Sequence, residues 1–332
     1  MYYSRKIDSL KDIFQASQVE VRQDSLIVDG RTYPIINDVI ILLDEANYPP
    51  AVKNKITSSS AVSAKNAKDF APDIQYTFGE EWKSFPDILP EHKEEFDNYF
   101  DIVDIASLSG KRVCDLGCGI GRWSHFLRDS CGELVLVDFS EAVFVARENL
   151  RDASNALFFM ADIKKLPFRN NFCDFLFCLG VLHHLPSDAI EETRSLKRLA
   201  PYLLIYLYYA LDNRPVYFKA LLAAATIART AAAKVKSGSF RSAFTWAVTL
   251  CVYFPFIIAG HVLNIIGIGK HVPLYDGYRG KSFGRIKQDV YDRFFTRIEQ
   301  RVSQKQIMSL QKDFTEVRIS DSLPYWHFTL KA

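Results

Sequence analysis

The fold is decided by the stretch Val113-Cys114-Asp115-Leu116-Gly117-Cys118-Gly119-Ile120-Gly121. It predicts a short buried strand, then a glycine-rich turn, then the start of a helix. Glycines at alternate positions suit a turn with unusual backbone angles, and they let a ligand approach the main chain closely. A second apolar strand, residues 134–137, ends at Asp138. Strand, glycine turn, helix, strand and acid, in that order, form the arrangement that holds the adenosine half of a cofactor.

The spacing of the glycines separates two kinds of cofactor site. Residues 115–121 follow D-x-G-x-G-x-G, whereas dinucleotide-binding turns follow G-x-G-x-x-G. The stretch resembles motif I of the class I S-adenosylmethionine-dependent methyltransferases of the small-molecule type. The resemblance extends over residues 105–210 and, more weakly, 300–332. It implies an α/β fold with a seven-stranded, doubly wound, Rossmann-like sheet, and S-adenosylmethionine as the cofactor.

The same resemblance implies a role for individual residues. Asp115 and the glycines would hold the methionine part of the cofactor, Asp138 both ribose hydroxyls, and Asp162 the adenine amino group. Residues 178–185, Cys-Leu-Gly-Val-Leu-His-His-Leu, resemble the family's fourth-strand motif, where cofactor and acceptor meet. The implied cofactor-binding residues are Asp115, Gly117, Cys118, Gly119, Gly121, Asp138, Phe139, Asp162, Ile163 and Leu179.

Two adjacent histidines are the candidate catalytic residues. Methyl transfer from a sulfonium is an in-line displacement, so the protein must align the acceptor and exclude water. An oxygen acceptor usually loses a proton, a task that suits histidine. His183 and His184 follow the predicted fourth strand, at the edge where open α/β sheets bind ligands. We expect only one of them to face the cleft; the alternative is that neither is a base and that one simply hydrogen-bonds to backbone or to the cofactor carboxylate.

Tyrosines beyond the fifth strand are the candidate acceptor contacts. Tyr208 lies at the end of that strand, and Tyr275 and Tyr278 lie in an aromatic, mixed-charge segment further along. The alternative is that these rings are ordinary core. An aromatic cluster at residues 76–82 is similar to the family's N-terminal lid, or else packs on the core.

The chain divides into five predicted segments. Residues 1–50 form a small β-rich N-terminal module, 51–75 a linker, 76–210 the first part of the methyltransferase core, 211–290 a helical insert or substrate cap, and 291–332 the end of the core. The N-terminal module resembles the tail of a zinc-ribbon-like module but lacks cysteine over residues 1–48, so we expect no metal. The closing segment predicts a capping box at Ser303. It also resembles the family's characteristic ending, which implies an antiparallel last strand.

The insert contains two apolar stretches, residues 217–233 and 242–269, and the second has no Asp, Glu, Lys or Arg. It is long enough to cross a bilayer. However, Pro255 and His261 interrupt it. A single crossing would also place the last elements of the core on the opposite side of the membrane from the rest. We therefore expect a buried cap over the acceptor pocket. The alternative is a peripheral membrane contact through residues 217–269, with Lys234, Lys236, Arg241 and Lys270 facing anionic lipid.

The charge balance and the cysteine content limit which classes of function the chain can have. The chain has 332 residues, with 41 basic and 39 acidic, and this balance does not indicate a nucleic-acid partner. Six cysteines without a paired motif are typical of reduced thiols in the cytoplasm. We predict a cytoplasmic methyltransferase acting on a small-molecule acceptor, with O-methylation favoured. The alternatives are a membrane-embedded or lipid-linked acceptor, and an inactive methyltransferase-like partner subunit. The sequence leaves the oligomeric state open.

Overall fold

A computed structural model describes residues 1–56, 75–76, 79, 85–235 and 237–332. The chain forms two compact units. Residues Met1–Tyr208 and Gln300–Ala332 form the first unit, and Tyr209–Glu299 form the second. The first unit is an α/β structure, and the described part of the second is helical.

The first unit is built on a single sheet, which has eleven strands within the described residues. Its spatial order is β1-β2-β3-β4-β7-β6-β5-β8-β9-β11-β10. The strands are β1 (Val19–Val21), β2 (Ser25–Val28), β3 (Arg31–Ile36), β4 (Val39–Ile41), β5 (Arg112–Leu116), β6 (Glu133–Asp138), β7 (Ala156–Met160), β8 (Phe175–Leu179), β9 (Tyr202–Tyr206), β10 (Glu316–Ile319) and β11 (His327–Lys331).

Strands β5 to β9 pair in parallel with one another. Strand β11 is antiparallel to both of its neighbours, β9 and β10. The predicted antiparallel ending is therefore confirmed. Parallel strands are covered on both faces, which explains the unbroken apolar runs in β6 and β7. All five residues of β7 are buried.

The predicted count of seven strands is wrong for the sheet as a whole. Strand β4 pairs in parallel with β7, with Ile40 opposite Phe159, so β1 to β4 extend the sheet beyond its expected edge. The hydroxyl of Tyr3 donates to the carbonyl of Phe158 at 3.2 Å, and this bond also ties the N-terminus to β7. An open edge of β7 would leave backbone donors and acceptors unpaired, and β4 satisfies them.

The helices are, in chain order, α1 (Ile7–Phe14), α2 (Pro50–Ile56), α3 (Glu91–Tyr99), α4 (Ser124–Leu127), α5 (Ala142–Asn149), α6 (Ala189–Ser195), α7 (Val216–Ala232), α8 (Gly238–Val248), α9 (Phe254–Asn264), α10 (Tyr275–Tyr278), α11 (Phe283–Phe295) and α12 (Gln304–Met308). The predicted capping box at Ser303 is present at the start of α12. The predicted linker begins with helix α2, and residues 57–74 lie outside the described part. The predicted boundary at residue 290 falls inside α11.

Helices α8 and α9 are joined by a π-helical turn, Thr249–Tyr253, into one long helix, Gly238–Asn264. This helix packs against α11 through a small core of Tyr253, Ile257, Tyr278, Ile286 and Val290. The second unit therefore has an apolar centre of its own.

Candidate cofactor and active site

The glycine turn follows β5, and its backbone conformation favours glycine. Gly117, Gly119 and Gly121 have φ of 80, 52 and 72°, in the region that other residues avoid. The amide of Gly117 donates to the carbonyl of Val137 at 2.7 Å. A Cβ added to Gly117 would lie 2.4 Å from Cγ2 of Val181. The turn is thus fixed between the end of β6 and the segment after β8.

Asp138, at the end of β6, is held by this turn. Its Oδ2 accepts from the Gly119 amide at 2.9 Å, and its Oδ1 accepts from the amide and hydroxyl of Ser140 at 2.8 and 2.7 Å. Burial raises the pKa of this carboxyl, against the hydrogen bonds from Ser140 and Gly119. The Phe139 backbone also hydrogen-bonds to this carboxyl, so the roughly four acceptor positions of the carboxylate are taken. Binding both ribose hydroxyls would require some of these donors, such as the Ser140 hydroxyl, to move away.

Asp115 lies within β5 and is almost fully buried, with 1% of its surface exposed. Its Oδ2 accepts from the Ser124 hydroxyl at 2.7 Å. Burial raises the pKa of the Asp115 carboxyl to about 7, and the hydrogen bond from Ser124 opposes this shift. A cationic ligand group nearby would favour the ionised form. The ammonium of a bound amino acid moiety has this charge, so Asp115 fits the implied methionine end.

Asp162 follows β7 and is partly buried. Its Oδ1 accepts from the Lys164 amide at 3.0 Å, and burial raises its pKa. Asp162 lines a cavity of about 140 Å³, whose other walls include residues of the N-terminal module such as Tyr33, Leu42 and Asn47.

The N-terminal module therefore reaches the site, a contribution that the sequence did not reveal. Gln75 reinforces this link, because its Nε2 donates to the carbonyls of Phe139 and Asn47 at 2.6 and 3.2 Å. No motif marks Asn47 or Gln75, and only the pairing of β4 with β7 brings the module to this edge. The remaining predicted cofactor residues, Cys118, Phe139, Ile163 and Leu179, lie in the segments that connect or end these strands. Most of the predicted lid, residues 77–78 and 80–82, lies outside the described residues.

Three predicted residues meet beyond β8. The ring of His183 stacks on Tyr208, with centroids 4.0 Å apart, and the ring of His184 meets Tyr208 edge-on at 5.5 Å. The Tyr208 amide donates to Nδ1 of His183 at 3.4 Å, and the Gln300 amide donates to the His183 carbonyl at 2.9 Å. An Nδ1 that accepts places the proton of a neutral imidazole on Nε2. His183 is thus fixed by backbone and by a ring, as one sequence interpretation expected.

Tyr275 and Tyr278 belong to the second unit and are buried within it. The Tyr278 hydroxyl donates to Asp289, and Tyr275 packs against Gly260 and the ring of His261. Their assignment to the acceptor pocket stays a prediction.

The described residues fit S-adenosylmethionine. Asp115 near the end of β5, Asp138 at the end of β6 and Asp162 just after β7 belong to three adjacent strands at the carboxyl edge of the sheet, where this class of fold binds ligands. The close approach at Gly117 keeps side chains out of the turn. Among the residues that the structure describes, no group of His, Cys, Asp and Glu could hold a metal ion.

Part of the chain is similar to known methyltransferases. Residues 113–200 match the family model of a methyltransferase domain. Phosphoethanolamine N-methyltransferase 3 of Arabidopsis thaliana is 31% identical over 88 residues, which are 26% of this chain and 18% of that protein. Phosphoethanolamine N-methyltransferase of Triticum aestivum is 33% identical over 91 residues, again 26% of this chain and 18% of that protein. The chain thus spans less than a fifth of the length of these curated relatives.

Solved structures also resemble part of the chain. A SAM-dependent methyltransferase from Aquifex aeolicus is 26% identical, with a TM-score of 0.33, over 38% of this chain and 71% of that one. Phosphoethanolamine N-methyltransferase 1 of Haemonchus contortus, solved with phosphoethanolamine and S-adenosylhomocysteine, is 24% identical, with a TM-score of 0.33, over 40% of this chain and 31% of that one. Residues 113–200 of this chain are therefore similar to a methyltransferase domain.

Proposed function

We propose that this protein transfers a methyl group from S-adenosylmethionine to a small-molecule acceptor, with oxygen as the accepting atom. The observation that carries the proposal is the row of Asp115, Asp138 and Asp162 at one sheet edge, beside a turn that excludes side chains. S-adenosylmethionine, when bound, supplies an activated methyl group on a sulfonium. The residues of this chain would bind it, orient it and keep water away.

His184 is the proposed general base. His183 accepts a backbone amide through Nδ1, and this bond assigns it to positioning the segment and the neighbouring Tyr208. Among the described hydrogen bonds of His184, the backbone amide donates to the Val181 carbonyl at 2.9 Å and fixes the turn after β8. An oxygen acceptor needs its proton removed as it attacks, which a neutral imidazole can do.

An acceptor screen tests this proposal. The full chain is incubated with radiolabelled S-adenosylmethionine and with alcohols, phenols, carboxylates and amines, phosphoethanolamine among them because relatives carry that name. Methylated alcohols or phenols would support an oxygen acceptor. Methylated amines alone would replace it with nitrogen. A folded protein that binds the cofactor but methylates nothing would favour the partner-subunit alternative.

A lipid-linked acceptor is the second candidate. The long helix Gly238–Asn264 is apolar, and only 17% of its most apolar window is buried. If the acceptor lies in a membrane, turnover with an acceptor embedded in vesicles should exceed turnover with a water-soluble analogue carrying the same reactive group. Equal rates would remove this candidate.

A further inference from the structure

The long helix Gly238–Asn264 buries mostly polar side chains and exposes apolar ones. Its inner side presents Arg241, Thr245, Thr249, Tyr253 and Ile257, of which all but the last are polar. Its outer side is almost entirely apolar. Exposed fractions there include 46% for Trp246, 49% for Leu250, 59% for Ile258 and 59% for Val262. The turn directly after the helix adds Ile265 at 85% and Ile266 at 70%. A helix on a water-exposed surface normally has the opposite arrangement.

The inner neighbour of this helix is a charged helix. On α11, Asp289 pairs with Arg293 at 2.7 Å and with Arg285 at 3.5 Å, and it accepts a hydrogen bond from Tyr278. Burial alone would raise the pKa of Asp289, but the positive charges of Arg293 and Arg285 outweigh burial and lower this pKa. The ring of Tyr278 in turn contacts Tyr253 of the long helix, with centroids 4.9 Å apart. The second unit therefore buries charged and polar groups beside its small apolar core, while its long helix exposes apolar side chains.

Charge is distributed unevenly along the chain. Residues 209–299 contain thirteen Lys and Arg against five Asp and Glu, an excess of eight positive charges. The remaining residues contain 28 basic and 34 acidic side chains, an excess of six negative charges. The uncharged run 242–269 lies between the exposed lysines Lys234 and Lys270. A positive, apolar surface is complementary to a bilayer that contains anionic lipid.

The connections of the second unit limit how it can enter a bilayer. Strand β9 precedes this unit and β11 follows it, and these strands pair directly, His327 opposite Tyr206. Both ends of the unit therefore lie on the same side of any membrane. Within the described residues, one helix is long and apolar enough to cross a bilayer, and a single crossing cannot return the chain. The charges of α11 also exclude it from hydrocarbon.

We propose that the outer side of Gly238–Asn264 is a membrane-docking face that lies in one leaflet of an anionic bilayer. We define this face by Trp246, Leu250, Ile258 and Val262 of the helix, together with Ile265 and Ile266 of the turn that follows it. Exposed Lys234 and Lys270 contact the lipid headgroups at its two ends. The docking face is independent of which atom accepts the methyl group.

Vesicle sedimentation tests the docking face. The full chain is mixed with vesicles of phosphatidylcholine alone, or with about a third phosphatidylglycerol. We expect binding to the anionic vesicles that weakens with salt. The triple variant Ile258→Glu, Val262→Glu and Ile266→Glu should bind at least tenfold more weakly. Met308→Glu is the matched control, because Met308 is an exposed apolar residue of the first unit and should leave binding unchanged.

The same samples test how deeply the docking face enters the bilayer and whether its partner is lipid or a second copy of the chain. Trp246 fluorescence, isolated by subtracting the Trp246→Phe variant, should be quenched more by lipids brominated near the headgroup than by lipids brominated deep in the chain. Stronger deep quenching would overturn the one-leaflet arrangement. Wild type that ignores both vesicle types, or a triple variant that binds like wild type, would overturn the docking face. A wild-type dimer that the triple variant dissociates, without vesicle binding, would assign the face to a second copy instead. Unchanged S-adenosylhomocysteine binding by the triple variant separates these outcomes from failure of the methyltransferase proposal.

Discussion

Replacing Gly117 by alanine should destabilise the first unit by about 2–5 kcal/mol. Two costs add. The φ of 80° places a non-glycine residue in the left-handed region, at about 1–2 kcal/mol. The new Cβ would also lie 2.4, 2.9 and 3.1 Å from Cγ2, Cγ1 and Cβ of Val181. Rotating the valine cannot relieve contacts with all three atoms, and overpacking of this kind costs about 1–3 kcal/mol.

Gly30→Ala is the matched control, because Gly30 has a φ of 85° but nothing within 4 Å of the added Cβ. It should show only the backbone cost. Urea unfolding is followed by the fluorescence of Trp123 and Trp326, which are both buried in the first unit. In a Val181→Ala background, which removes the two methyl groups, Gly117→Ala should cost little more than Gly30→Ala. Equal losses for Gly117→Ala and Gly30→Ala in the wild-type background would refute the close approach.

The other predictions concern the acids and the histidines. Asp138→Ala should weaken S-adenosylhomocysteine binding by about 1–3 kcal/mol in calorimetry, since buried donors lose their acceptor; unchanged affinity would refute the ribose assignment. Asp115 has a folded pKa of about 7 against about 3.9 unfolded, so its stabilising effect is fully present below about pH 4 and is lost as the pH rises through about 7. Asp115→Asn should therefore flatten the fall in unfolding free energy between about pH 4 and 7, which amounts to about 4 kcal/mol over the full titration; an unchanged slope would contradict this. His184→Ala should reduce turnover by about 10²-fold or more, while His183→Ala should mainly lower stability; full turnover in both would rule out a histidine base.

The central part of the fold could be predicted because its signals are local. The apolar runs of β5 to β8 and the glycine turn each occupy a few consecutive residues, and their order fixes the sheet edge where ligands bind. Residues 91–106 show the limit of such signals, because the sequence alone predicts one continuous helix there. The helix ends at Tyr99, and Asp104 caps a separate 3-10 turn, Ile105–Leu108, by accepting from the Ala106 amide.

The edges of the sheet could not be predicted, because they depend on pairing between distant segments. Nothing in residues 39–41 marks them as partners of β7, and the cavity wall from the N-terminal module follows from that pairing alone. The apolar helix of the second unit raises a different difficulty. Its composition suits a buried cap or a membrane face equally well. The exposure of residues such as Ile265 favours the second interpretation over the cap that the sequence analysis expected.

The most direct test of the central claim is calorimetric titration of the full chain with S-adenosylhomocysteine. We predict binding at about micromolar affinity, weakened by about 1–3 kcal/mol in Asp138→Ala. Ser140→Ala is the control, because it removes one hydrogen bond to Asp138 and keeps the carboxylate, so binding should persist. A folded protein that shows no heat of binding, or one whose affinity is the same in Asp138→Ala, would contradict the assignment of this sheet edge to the cofactor.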